Sequence, residues 1–450
     1  MKRKIYSKLL DWKKNDADNT ALLIDGARRV GKSYIVEEFA KNEYKSYIMI
    51  DFNRASKEIK DLFDRYLDDL DLLFMYLSQY YNKKLYPKES LIILDEVQLC
   101  PRARSAIKFL VADGRYHYIE TGSLMSIKKH VKDIVIPSEE RHIKMYPMDF
   151  EEFLWANGNS ELMTLIRHCF ENKKPMGQIM HRKAMDYFRQ YLIVGGMPKA
   201  VLEYTISHDF DKVDSIKRDI LSLYRNDITK HASGYEHKIS NIFDDIPSQL
   251  SKKEKKFKLS SIKKDARLRD YEDAIFWLVD SMIINPCYNT TEPSIGLKLN
   301  MTRTTMKCYM ADTGLLISHA FDEENILKNE LYKKILFDKL EINNGMIIEN
   351  IVAQMLVSTG RKLYFYSNPS SEDVNSRMEI DFLIAKNKLT SRHNISPIEV
   401  KSNKNYTLTS LRKCVTKYSE QIHIPYVIHP QDLKIENDIV YIPLYMTYCL

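Results

Sequence analysis

The chain is poor in the residues that loosen or staple a fold. It holds 13 Gly and 14 Pro in 450 residues, too few for a long flexible linker. Its six cysteines, Cys100, Cys169, Cys287, Cys308, Cys414 and Cys449, are scattered, and no two stand at C-x-x-C spacing. That argues against a structural zinc site and fits a reducing compartment. No run approaches the roughly 18 apolar residues that a membrane helix needs. The basic first ten residues lead into Asp11-Trp12-Lys13-Lys14, where a secretory signal would need an apolar core. A soluble, cytoplasmic protein with no membrane partner is the expectation.

What is present reads as folded and large. Hydrophobic residues make up 44% and charged residues 29%, ordinary for a globular protein. The length suggests about three domains. Net charge is +7, from 68 Lys+Arg against 61 Asp+Glu, too small by itself to diagnose a nucleic-acid partner.

Along the first third, apolar runs at 21–26, 47–52, 91–94 and 116–119 alternate with helical patterns, which predicts a parallel sheet covered by helices. From about residue 148 to 224 the pattern is helical only. Between 239 and 309, three short helices precede two apolar runs, a winged-helix-like order. The last part, from about 326, starts with helices and ends in strands, a small α/β domain. The expected class is multi-domain α/β, with domains at 1–146, 147–232, 233–325 and 326–450.

Gly26-Ala27-Arg28-Arg29-Val30-Gly31-Lys32-Ser33 fits G-x-x-x-x-G-K-[ST] at every position. Two glycines let the main chain wrap a phosphate with its N–H groups. Lys32 is suited to the β and γ phosphates of ATP, and Ser33 to Mg²⁺. The helix that follows aims its N-terminus at the same anion. Asp95 and Glu96 end the apolar run 91–94, at the strand end where such sheets bind ligands. Asp95 suits the Mg²⁺ shell, and Glu96 suits the attacking water. One additional strand lies between the phosphate loop and Asp95, the order of the additional-strand, catalytic-Glu branch of P-loop ATPases. Asn-Lys-x-Asp, which a simple GTPase would carry, is absent from this region. Thr121 and Ser123, at the end of the next strand, are candidates for a γ-phosphate sensor or for a helix cap. Arg141 is a candidate sensor or arginine finger; a surface charge is the plainer reading.

The combination of 26–33, Leu94-Asp95-Glu96-Val97-Gln98 and Thr121-Gly122-Ser123 resembles a prokaryotic group of AAA-type ATPases within the AAA+ superfamily. The group's Tyr-Pro-Leu-x-Phe-x-Glu-Phe segment stands here as Tyr146-Pro147-Met148-Asp149-Phe150-Glu151-Glu152-Phe153. Its Gly-Gly-Phe-Pro is Gly195-Gly196-Met197-Pro198, and its Asp-x-Gly-Leu is Asp312-Thr313-Gly314-Leu315. Glu140 replaces the usual Gly before Arg141. The resemblance spans nearly the whole chain. It implies ATP binding, a helical lid at 147–232, a C-terminal domain of unknown function, and no particular substrate. Sites of this type often borrow an arginine from a neighbouring subunit, so self-association is a further expectation.

In the C-terminal part, Glu379-Ile380-Asp381 followed by Glu399-Val400-Lys401 resembles the PD-(D/E)xK site of restriction-endonuclease-like folds. That resemblance makes Asp381 and Glu399 ligands of Mg²⁺, Lys401 the residue that polarises the nucleophile, and Glu349 an extra acid. Glu-x-Lys is a cheap pattern, since Glu43/Lys45, Glu58/Lys60 and Glu236/Lys238 also match. A salt-bridged pair of structural strands writes the same letters. Lys252, Lys253, Lys255, Lys256 and Lys258, with Lys263, Lys264, Arg267 and Arg269, form a basic run that suits DNA phosphates, or a solvated surface.

Overall fold

The computed structural model describes residues 1–122, 138–232, 234–252, 256–257, 270–294, 296–322, 332, 334–336, 344–369, 377–386, 393–403 and 405–450. Ser123 lies outside them, as do Lys253, Lys255, Lys258, Lys263, Lys264, Arg267 and Arg269. The chain divides into two compact units, Met1–Tyr146 with Asp280–Met282, and Pro147–Val279 with Ile283–Leu450.

The first unit runs α1 (Ile5–Asn15), β1 (Ala21–Gly26), α2 (Lys32–Glu43), β2 (Ser46–Asp51), α3 (Lys57–Arg65), α4 (Leu70–Tyr80), β3 (Ser90–Asp95), α5 (Pro101–Asp113), β4 (His117–Gly122) and β5 (Glu140–Met145). The strands form one five-stranded parallel sheet in the order β2-β3-β4-β1-β5. Every residue of β1, β3 and β4 is buried, because helices cover both faces and leave no solvated side for alternation. On one face Leu23, Ile48, Ile50, Ile92 and Leu94 pack with Phe63, Leu73 and Ile107 from α3, α4 and α5. Ser56 caps α3 by accepting from the Ile59 N–H, and Asp69 caps α4 by accepting from the Leu72 N–H, each satisfying an otherwise orphaned donor.

A buried acidic pair crosses this sheet. Glu140 receives Arg104 Nη2 at 3.0 Å and His142 Nε2 at 2.5 Å. Glu120, fully buried beside it, has its pKa pushed well above the carboxylate range, first by burial and then by the Glu140 charge. The protonated form of Glu120 is therefore the favoured one. In the unfolded chain it ionises near its ordinary 4.5, so its contribution to stability is full below that pH and is lost as pH rises. Glu120→Gln keeps the size and the uncharged state and removes the titration. Urea melts are expected to show it as stable as the wild type near pH 4 and more stable at pH 8.

The second unit begins with the helices Phe150–Ala156, Ser160–Glu171, Gln178–Val194, Pro198–Ser207, Phe210–His231 and Glu236–Ser251. It continues into an eight-stranded mixed sheet of β6 (Ile284–Thr290), β7 (Met301–Met310), β8 (Leu363–Asn368), β9 (Met378–Ala385), β10 (Ile395–Val400), β11 (Tyr426–His429), β12 (Lys434–Glu436) and β13 (Ile439–Pro443). The order is β12-β13-β11-β10-β9-β8-β6-β7. The strands that suggested a winged helix are β6 and β7, and they do not form a separate wing. They pair antiparallel with each other, and β6 pairs parallel with β8, which makes the hairpin one edge of the large sheet.

The Gly-Gly and Asp-x-Gly motifs meet in this unit. Asp312 caps the helix Thr313–Ala320 by accepting from the Leu315 N–H at 2.9 Å, and it accepts from the Gly196 N–H at 2.6 Å. A Cβ at Gly196 would lie 2.1 Å from the Met148 carbonyl oxygen, and one at Gly314 would lie 2.6 Å from the Gly195 Cα. Only glycine permits main chain to pass main chain this closely.

Candidate nucleotide site and the C-terminal acidic strands

The phosphate loop leaves β1 at Gly26 and enters α2 at Lys32. A Cβ on Gly26 would stand 2.4 Å from the Met145 carbonyl oxygen at the end of β5, so the sheet itself requires the first glycine. Arg29 at φ 71° and Gly31 at φ 94° are left-handed and turn the loop back on itself. Ala27 and Val30 are buried, whereas Arg28 and Arg29 are exposed. Arg3 fastens the loop from below, donating from Nη1 to the Val30 carbonyl at 2.9 Å and from Nη2 to the Tyr146 carbonyl at 2.8 Å. Nothing in the sequence pattern of the first ten residues marks that role.

Lys32 is only 7% exposed. Its ammonium donates to the carbonyls of Gly26, at 2.8 Å, and Ala27, at 3.1 Å. Burial lowers its pKa, against the opposing pull of Glu96, Asp25 and Asp95. An ammonium short of solvation, among carboxylates and loop carbonyls, is suited to a polyanion that would share its charge.

Asp95 ends β3 at the same edge of the sheet. Its Oδ1 accepts from the Ser33 hydroxyl at 2.8 Å and from the Thr121 hydroxyl at the end of β4. Thr121 in turn accepts from the Glu96 N–H at 3.4 Å. Glu96 is left-handed at φ 54°, a strained conformation for a residue with a Cβ. Its carboxylate accepts from Gln98 Nε2; sequence reading quoted Gln98 within a motif and gave it no role. The hard oxygens of Ser33 and Asp95, side by side, are the donor set that Mg²⁺ takes.

Thr121 thus ties Asp95 to the turn that aims Glu96. Thr121→Val keeps the shape and removes both hydrogen bonds. The expected result is an ATP turnover about tenfold lower with nucleotide affinity nearly unchanged, read by steady-state phosphate release and nucleotide titration.

Arg141 does not join this group. β1 and β5 are parallel, with Leu22 opposite Arg141 and Gly26 opposite Met145. Four residues of strand, about 13 Å, therefore separate Arg141 from the level of the loop. It is largely exposed and pairs with Asp16 at 2.5 Å.

In the second unit, Asp381 on β9 accepts from the Val400 N–H at 2.8 Å and lies 3.8 Å from Lys307 Nζ. Glu399 on β10 accepts from Lys401 Nζ at 2.5 Å, while its buried Oε2 has no partner among the described residues. Burial raises the Glu399 pKa, and Lys401 opposes the rise. Lys307 on β7, unmarked by any sequence pattern, is 1% exposed and lies 3.2 Å from Glu349 and 3.1 Å from Glu379. Burial disfavours its charge, but Glu349, Asp381 and Glu379 outweigh burial and hold its pKa above the lysine range. Lys217, equally buried, has Asp214 at 4.0 Å, and burial pushes it down to about 8. Among the described residues, no group of three or more His, Cys, Asp or Glu is placed to hold a metal ion.

Comparison with known families matches residues 18–154 to a model described as an AAA domain. Residues 185–325 and 344–447 match two domains of unknown function, DUF8612 and DUF4143. No curated protein matches. Among solved structures, the Walker-type ATPase PABY2304 of Pyrococcus abyssi aligns at 15% identity over 71% of this chain and 95% of its own, with TM-score 0.40. The Aeropyrum pernix Orc1 protein in complex with DNA aligns at 10% identity over 73% of this chain and 95% of its own, with TM-score 0.30. Drosophila ORC bound to DNA aligns at 13% identity over 71% of this chain and 95% of its own, with TM-score 0.28. Residues 18–154 thus join the pattern of an AAA domain to a phosphate loop and acidic strand end at one edge of a parallel sheet, the build of a nucleotide-binding ATPase domain.

Proposed function

We propose that the N-terminal unit binds ATP with Mg²⁺ and hydrolyses it, with Glu96 as the base that orients and deprotonates the attacking water. The observation that carries this reading is the meeting of Ser33, Asp95 and Thr121 on one carboxylate oxygen beside the Lys32 loop. Lys32 and the loop N–H groups bind the phosphates, and the N-terminus of α2 adds its dipole. Ser33 and Asp95 would hold Mg²⁺, which neutralises phosphate charge when bound. Glu96 takes the proton of the water, and Thr121 and Gln98 fix the direction of its carboxylate.

Nucleic acid is the partner this reading favours, on the strength of the nine basic residues between Lys252 and Arg269. The test is ATP turnover by the full chain with Mg²⁺, alone and with added DNA or RNA. Turnover that rises with DNA or RNA supports the whole reading. Turnover indifferent to both retains the ATPase and leaves a protein partner, with ATP hydrolysis serving as a regulatory switch. Failure to bind any nucleoside triphosphate with Mg²⁺ overturns it.

A further inference from the structure

We propose that the acidic cluster of the C-terminal sheet is not a metal site. The Lys307 ammonium stands among the carboxylates that would otherwise gather a divalent cation, so the unit is a metal-independent, non-cleaving counterpart of the nuclease-like fold it resembles.

The argument is one of space and charge. Lys307 Nζ lies 3.1 Å from Glu379, 3.2 Å from Glu349 and 3.8 Å from Asp381. Mg²⁺ needs such oxygens at about 2.1 Å from a common centre. An ammonium at these distances fills that centre, and its charge repels a second cation. Lys307 is carried on β7, the edge strand, yet is only 1% exposed, so moving it aside to make room means repacking its neighbours.

Much of the remaining ligand capacity is also engaged, although Glu399 Oε2 has no hydrogen-bond partner among the described residues. Tyr309, two residues along β7, donates its hydroxyl to the same Glu349 oxygen that Lys307 pairs with. Asp381 turns its other oxygen to the Val400 N–H. Glu399 is held by Lys401, so the recorded contacts join the two expected ligands to different lysines rather than to each other. Lys256 lies 3.9 Å from Glu379, adding a second positive charge. The cluster therefore works as a clamp that ties β7 to β9 and to the helix Asn344–Ser358.

The test uses the nucleotide-free full chain. Mn²⁺ binding is followed by electron paramagnetic resonance for the wild type, Asp381→Asn and Glu399→Gln, and plasmid DNA and RNA are assayed for nicking with Mg²⁺ and Mn²⁺. The expected result is equal Mn²⁺ binding by all three and no nicking by any. Nicking by the wild type that either substitution abolishes, or a Mn²⁺ equivalent that either one removes, overturns the proposal. Lys307→Met supplies an independent arm, because it leaves the carboxylates without their cation. Its melting temperature is expected to rise by about 5 °C or more with Mn²⁺, while that of the wild type does not move. A folded Lys307→Met that takes up no Mn²⁺ counts against the proposal; if that variant does not fold, the wild type and the two carboxylate variants decide. ATP turnover in the same wild-type preparation reports on the nucleotide site separately.

Discussion

With Glu96 as the proposed base, Glu96→Gln is expected to bind ATP as the wild type does and to turn it over at least a hundredfold more slowly. The amide has the size and shape of the carboxylate, so the left-handed turn at φ 54° and its hydrogen bond to Thr121 persist. Lys32, Ser33 and Asp95 are untouched, so the proposed ligands of the phosphates and Mg²⁺ remain in place. What is lost is the ability to accept a proton, and a positioned general base contributes roughly 10²–10⁴-fold. The check is phosphate release at saturating ATP, with nucleotide titration and thermal melting on the same sample. A variant that keeps more than about a tenth of the turnover would move the base elsewhere, since so small a loss falls below what a base supplies.

Lys32→Ala is expected to lose binding as well as turnover, which separates it from Glu96→Gln. Its ammonium is the single cation inside the loop that is both buried and hydrogen-bonded to the loop's own carbonyls. Charge-assisted hydrogen bonds are worth about 1.5–3 kcal/mol each, and a triphosphate would take up two. ATP affinity is expected to fall on the order of a hundredfold, and turnover to background. Stability without nucleotide should hold, because burial already disfavours the Lys32 charge and alanine relieves that cost. Isothermal titration and a melting curve, read together, check both halves. Lys32→Arg is expected to fail similarly, since a planar fork is not a compact point charge.

The fold of the first unit was legible where burial is two-sided. The runs at 21–26 and 91–94 correspond to β1 and β3, whose residues are all buried. β5 was missed because it is an edge strand with the sequence Glu140-Arg141-His142-Ile143-Lys144-Met145, half open to solvent. Edge strands carry charge as protection against mispairing, and that same charge hides them from a search for apolar runs. The position of Arg141 is hidden for the same reason: without the register of β5 against β1, the sequence does not reveal which end of the sheet it occupies.

The hairpin of β6 and β7 shows a different limit. Helices followed by two strands read alike whether the strands form a free wing or the edge of a sheet. The deciding contact is the parallel pairing of β6 with β8, across a long intervening stretch of chain, and no local pattern encodes it. Lys307 is hidden for the same reason. It is one charge in a strand, and only tertiary structure supplies its partners on β9 and on the helix Asn344–Ser358.

At Asp95, one oxygen atom accepts from a hydroxyl 62 residues before it and from another 26 residues after it. Contacts of such separation carry a loop-closure cost that local contacts do not. A chain still emerging during synthesis therefore has no partial version of this pocket. The Ser33–Asp95–Thr121 cluster is assembled only when β1, β3 and β4 lie side by side, so uptake of the proposed ligand would report that these three strands are in place.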